Sequence, residues 1–156
     1  MARDARTTAA YVLGTWFGCG KVPIAPGTAG TLGAIPVYLL LRPFGAFAVA
    51  AAAFVLMLVG VWAANIIVDD TKLEDPQLVV IDEVAGVLVT LTIMPLSWLG
   101  ILAGFVLFRI FDQFKPWPAR AAEDWPRGWG VVMDDIFASI WGAAVLFALV
   151  HFKIVH

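Results

Sequence analysis

The chain has 156 residues, 62% of them hydrophobic and only 14% charged, and its mean hydropathy is +0.90. Soluble domains carry about 45–50% apolar and about 25% charged residues, so these figures exclude an ordinary soluble fold and point to one all-helical, membrane-embedded domain over residues 1–156. A net charge of −2 gives no reason to expect a nucleic-acid partner, and the single Cys19 excludes an internal disulfide or a cysteine-rich metal site.

Residues Ala5 to Phe17 read as a short interfacial helix, with no apolar core of a cleavable signal before Gly18. Gly18 to Gly33 is rich in Gly and Pro and reads as an ordered loop, with Thr28 as N-cap of the next helix. Five apolar segments follow: Ala29–Leu41, Phe44–Val68, Leu78–Met94, Trp98–Phe114 and Val131–Val150. Phe44–Val68 carries no charge and exceeds the ~20 residues of a spanning helix. Ala29–Leu41 is short, so its charged neighbours are expected at headgroup level.

With the N-terminus inside, five crossings put the loops 18–27, 69–77 and 115–130 inside, and 42–43, 94–97 and the C-terminus outside. All twelve acidic residues then lie at or near the inner face, with eight of the ten Lys and Arg; only Arg42 and Lys153 fall outside. The cations follow the positive-inside rule, but Asp and Glu contribute little to that rule. Their segregation therefore asks for a chemical reason.

The densest stretch is Phe108 to Pro118. Arg109, Asp112 and Lys115 recur every three residues, which puts them on one helix face, and Pro116 ends the helix. Asp82-Glu83 opens the segment before it, and Asp134-Asp135 the segment after. Ionisable groups at membrane depth are costly and usually functional. Five carboxylates at inner helix ends form an oxygen-only donor set, which suits Mg²⁺ or Mn²⁺ better than zinc or copper. The glycine-rich loop adds backbone N–H groups and Lys21, a possible anion site that lacks the closing Gly-Lys-Ser/Thr of a P-loop. His151 and His156 lie at the far end and carry no expected chemistry. The tryptophans read as interfacial anchors or bundle packing.

These stretches resemble the bacterial phosphatidylglycerophosphatase A family along almost the whole chain. The resemblance rests on Phe17-Gly18-Cys19-Gly20 with Ala25-Pro26-Gly27-Thr28, on Asp82-Glu83-Val84-Ala85-Gly86, on Phe108-Arg109-Ile110-Phe111-Asp112 with Lys115-Pro116, and on Gly130 to Asp135. Ser139 and Thr31 depart from the family pattern. The resemblance implies an all-helical, multi-pass protein of the bacterial inner membrane. It also implies Mg²⁺-dependent hydrolysis of phosphatidylglycerophosphate to phosphatidylglycerol, with the active site facing the cytoplasm. Asp82, Glu83, Asp112, Asp134 and Asp135 would then be the catalytic, metal-holding residues, and Lys21, Thr28, Arg109 and Lys115 would bind the substrate phosphate. A Mg²⁺-dependent lipid phosphotransferase, or a phosphatase for another headgroup, is the competing enzyme; a phosphotransferase should concentrate its acids in one helix, whereas here they spread over three. A cation channel or transporter should place charge through the membrane depth, whereas here the acids lie on one side.

Overall fold

A computed structural model describes residues 4–155. The described residues form seven α-helices and no strands: α1 (Ala5–Gly14), α2 (Pro26–Leu41), α3 (Ala46–Thr71), α4 (Ile81–Leu91), α5 (Trp98–Phe114), α6 (Ala119–Ala122) and α7 (Gly128–His151). Short 3₁₀ turns at Cys19–Lys21 and Arg42–Phe44 join the early helices.

The α4 helix is the axle of the bundle. Of its eleven residues only Glu83 and Val89 are not buried, because α2, α3, α5 and α7 all pack around it. At 1.5 Å per residue it is about 16 Å long, roughly half the apolar thickness of a bilayer. It starts late because residues 78–80 are pinned outside the helix, with the Val80 N–H donating to the Gly14 carbonyl at 2.9 Å. The helix therefore begins enclosed by its neighbours, and its first-turn acids are set between helices rather than at a lipid surface.

Among the described residues, only α3 and α7 are long and apolar enough to cross a membrane, which is consistent with a membrane protein; five crossings do not follow from helix length. The exposed sides of α3 and α5 are nevertheless greasy, with Phe47, Phe54, Val55 and Leu58 on one and Leu99, Leu102, Val106 and Ile110 on the other. Apolar faces of that extent on a monomer mark contact with lipid or another protein.

The chain reversals sort to two ends. At one end Tyr38 OH and Arg42 Nε both donate to the Met94 carbonyl, at 2.7 and 2.6 Å, tying the 42–44 turn to the 92–97 turn. All the clustered acids lie at the other end. Two local expectations change. The second helix starts at Pro26 with Ala25 as N-cap, so Thr28 sits inside its first turn; proline at the first helical position brings a φ already set for the helix and loses no useful N–H. The first helix ends at Gly14 and buries Ala10, Tyr11 and Gly14 against α3, so it is a docked element of the bundle.

Close approach of α4, α5 and α7 depends on Gly86. A Cβ built there would stand 2.5 Å from the Phe108 ring and 3.3 Å from the Asp135 carbonyl oxygen. Overpacking such a contact costs about 1–3 kcal/mol. Gly86→Val is expected to lower stability by that amount and to reduce activity further by pushing Asp112 and Asp135 away from Asp82. Thermal unfolding read beside turnover would check this, and unchanged values for both would show that the helices do not meet at this glycine.

Candidate active site

Three helices converge on one cavity of about 290 Å³. From the first turn of α4 come Asp82 and Glu83, from the last two turns of α5 Arg109 and Asp112, and from about two turns into α7 Asp134 and Asp135. Consecutive acids on a helix point about 100° apart, yet Asp82 and Glu83 both reach the cluster because elements surround the start of α4 on several sides. One carboxylate oxygen from each of Asp82, Glu83 and Asp135 can lie within 4.8 Å of the others.

The remaining acids of the five are already paired. Arg109 Nη1 forms an ion pair with Asp112 Oδ2 at 2.8 Å, off the line of a hydrogen bond, and lies 3.9 Å from Glu83 Oε1. Gln113 Nε2 also donates to Asp112 Oδ2, at 3.3 Å. Lys115 donates to Asp134 Oδ2 at 2.6 Å and to Glu123 Oε1 at 2.8 Å. Burial alone would lower the Lys115 pKa, but its bonds to Asp134 and Glu123 outweigh burial and hold it above the ordinary lysine value. This ammonium stays charged across the physiological range. Its placement is local in origin: Lys115 caps α5 in the left-handed conformation, φ 43°, ahead of Pro116, and that turn sends the side chain across to α7.

A carboxylate cluster this deep needs positive charge. Asp82 is 7% exposed and Asp135 4%, and Asp135 is acted on by the charges of Asp112, Asp134 and Glu83. Glu83 Oε2 is buried without a hydrogen-bond partner. Two cations, Arg109 and Lys115, face six acids on the cavity wall. An orphaned carboxylate oxygen among all-oxygen donors fits a hard divalent cation such as Mg²⁺.

The start of α2 supplies the opposite wall through Ala25, Pro26 and Gly27. Gly27 abuts Glu83 and Arg109 so closely that any Cβ there would collide with the Glu83 carboxylate. Gly27, whose first-turn N–H has no acceptor within the helix, therefore lines the same cavity as Arg109, whose Nη1 is itself buried without a hydrogen bond. Amides at a helix start and a guanidinium together are a setting for an anion.

Of the nine candidates, the structure brings Asp82, Glu83, Asp112, Asp134, Asp135, Arg109 and Lys115 to the cavity, while Lys21 and Thr28 do not line it. Lys21 sits exposed in its 3₁₀ turn, and Thr28 stands in the first turn of α2, outside the cavity lining. Asp75, Gln77 and Gln113 also line the cavity. Nothing in their spacing marks them, since a loop approach is set by packing; the one available signal was that Asp75 belongs to the same polar inner loop.

A family model described as PgpA, phosphatidylglycerophosphatase A, matches residues 12–150. A Bacteroides thetaiotaomicron protein named "Putative phosphatidylinositol-3-phosphatase" is 43% identical over 139 residues, covering 83% of this chain and 86% of the relative. Proteins named phosphatidylglycerophosphatase A from Escherichia coli and Haemophilus influenzae are each 36% identical, covering 90% and 89% of this chain and 83% and 87% of their own lengths. No solved structure matches the chain.

Proposed function

The chain belongs to the phosphatidylglycerophosphatase A family of phosphatases, and from that membership we propose that it hydrolyses phosphatidylglycerophosphate to phosphatidylglycerol and inorganic phosphate, with Mg²⁺, at the cytoplasmic face of the bacterial inner membrane. The observation that carries the mechanism is the Asp82–Glu83–Asp135 cluster with its orphaned Glu83 oxygen, one wall away from a guanidinium nitrogen that also lacks a hydrogen bond.

Asp82, Glu83 and Asp135 are the residues that would hold the cation. When bound, it supplies positive charge against the phosphoryl oxygens. Arg109 reaches the phosphate with the donors that Asp112 leaves free, and Asp112 fixes the plane of the guanidinium. The Gly27 amide at the start of α2 meets the phosphate from the other wall. Lys115 neutralises Asp134 rather than the substrate, so it orients the α7 acids and keeps the 115–123 loop closed over them. In-line attack by water completes the reaction; the diacyl tails stay in lipid and only the headgroup needs to enter. The exposed apolar faces of α3 and α5 support a multi-pass placement with this cavity at headgroup depth.

The test is phosphate release from phosphatidylglycerophosphate in detergent micelles, with Mg²⁺ or with chelator. Release that requires Mg²⁺ and is abolished by Asp112→Asn in folded protein supports substrate and site together. Release indifferent to chelator would rule out the metal. The Bacteroides relative's name favours a second headgroup, so a phosphatidylinositol phosphate belongs in the same assay; faster release from it would reassign the substrate while leaving the site.

A further inference from the structure

The active-site cavity has two rims of opposite chemistry. On one side stand Asp75 and Gln77, both exposed, from the 72–80 loop. On the other, the start of α2 meets the end of α5 over Glu83, where Gly27 abuts both Glu83 and Arg109. One turn deeper on the same face of α4, Val87 is fully buried, so the opening at that face is confined to the level of Glu83. The lining residues here have exposed apolar neighbours in the chain. Ile24, next to the lining Ala25, is 81% exposed, and Phe114, between the lining Gln113 and Lys115, is 76% exposed. Resting on the phosphatase reading above, we propose that this rim is a lateral port to the bilayer. Ile24 and Phe114 lie among the acyl chains of the inner leaflet, and a lipid passes its phosphate sideways to Arg109 and Gly27 while one of its acyl chains lies along α5.

The surface of α5 selects that occupant. From Phe114 an exposed apolar stripe runs through Ile110, Val106 and Leu102, one residue in every four. At 1.5 Å per residue the stripe is about 18 Å long, roughly the apolar depth of one leaflet. Arg109 lines the cavity from the position next to Ile110, so a phosphate held by Arg109 has an apolar track beginning beside it. An apolar peptide would match the stripe but would bring no anion to the Arg109 nitrogen that is buried without a hydrogen bond. Charge at the rim agrees with a lipid. Lys21, which does not line the cavity, is exposed three residues before Ile24, where it faces anionic headgroups. A rim standing in water would forgo the transfer free energy that an isoleucine and a phenylalanine gain in hydrocarbon.

Backbone geometry sets the two rim residues apart from their neighbours. Each stands beside a non-glycine residue in the left-handed conformation, Ala25 at φ 52° and Lys115 at φ 43°. Those turns start α2 at Pro26 and end α5 at Phe114, and Ile24 and Phe114 stay outside the lining while the residues next to them form it.

The experiment compares two forms of phosphatidylglycerophosphate with Mg²⁺ present: a long-chain form in phosphatidylcholine vesicles and a dibutanoyl form dissolved in water. Ile24→Ser and Phe114→Ser are each expected to lower kcat/KM for the vesicle substrate about tenfold and to leave that for the dissolved substrate unchanged. Equal losses on the two substrates, or no loss on the vesicle substrate, overturn the port. A fluorescent label on Ile24→Cys or Phe114→Cys, each combined with Cys19→Ala, gives a reading independent of turnover. Brominated acyl chains are expected to quench that label more than aqueous iodide does, with the reverse order for a label on Glu74→Cys. Stronger quenching by iodide at positions 24 and 114 overturns the port as well. Failure of wild type to release phosphate from either substrate would instead overturn the phosphatase reading, and the quenching would still decide whether the rim lies in lipid.

Discussion

Asp82→Asn is expected to reduce phosphate release by about a thousandfold or more, equivalent to ~4 kcal/mol of transition-state stabilisation, while making the metal-free protein more stable. Both effects have one cause. Asp82 is buried at the start of α4 beside Glu83 and Asp135, and its Oδ1 accepts from the Glu83 N–H at 3.0 Å. Like charges held that close in a low dielectric repel, so removing one favours the folded chain. With the proposed cation bound, the same removal would also take away one of its oxygen ligands. Metal-induced stabilisation, about 2.7 kcal/mol at a hundredfold excess over the dissociation constant, should shrink or vanish. Thermal unfolding with and without Mg²⁺ separates the two contributions. A variant that is both less stable without metal and still shifted by Mg²⁺ would place Asp82 outside the metal site.

At Arg109 the expected stability change has the opposite sign. Its side chain is 21% exposed, and it is the cation between Asp112 and Glu83, whose side chains are 9% and 15% exposed. Arg109→Ala would leave two mostly buried carboxylates without a countercharge, and breaking a buried pair in this way costs about 3–5 kcal/mol. The variant is expected to be poorly folded or absent from the membrane fraction. Arg109→Lys keeps the charge but has no planar fork to serve Asp112 and a phosphate together. It should fold, unfold within a few degrees of wild type, and lose on the order of a hundredfold in turnover, about 2.7 kcal/mol. Near-normal turnover in the lysine variant would reduce Arg109 to a structural ion pair.

The two acid pairs were legible as pairs but not as roles. From the chain, Asp82, Glu83, Asp112, Asp134 and Asp135 look alike: each stands at a helix end beside apolar residues. In three dimensions they divide. Asp112 is held by Arg109, Asp134 by Lys115, and Asp82, Glu83 and Asp135 are left facing one another. The spacing of Arg109, Asp112 and Lys115 did foretell a shared face. It could not tell that Lys115 would turn to α7, because that depends on a left-handed cap and on how far away α7 stands.

Composition and hydropathy by themselves determined that the chain is helical and greasy. Charge placement fixed which end carries the chemistry, and the order of motifs indicated the family. These are properties of local segments, set by side-chain transfer energies and helix periodicity, and they survive without knowledge of neighbours. Packing alone decided the length of α4, since the Gly14–Val80 bond and the surrounding helices stop it at half a membrane thickness. Packing alone also removed Lys21 and Thr28 from the cavity and brought in Gly27 and Asp75. Each of these is a matter of distance between segments remote in sequence, which is fixed where side chains of two elements leave room, as at Gly86 and Gly27, and not by any pattern within one of them.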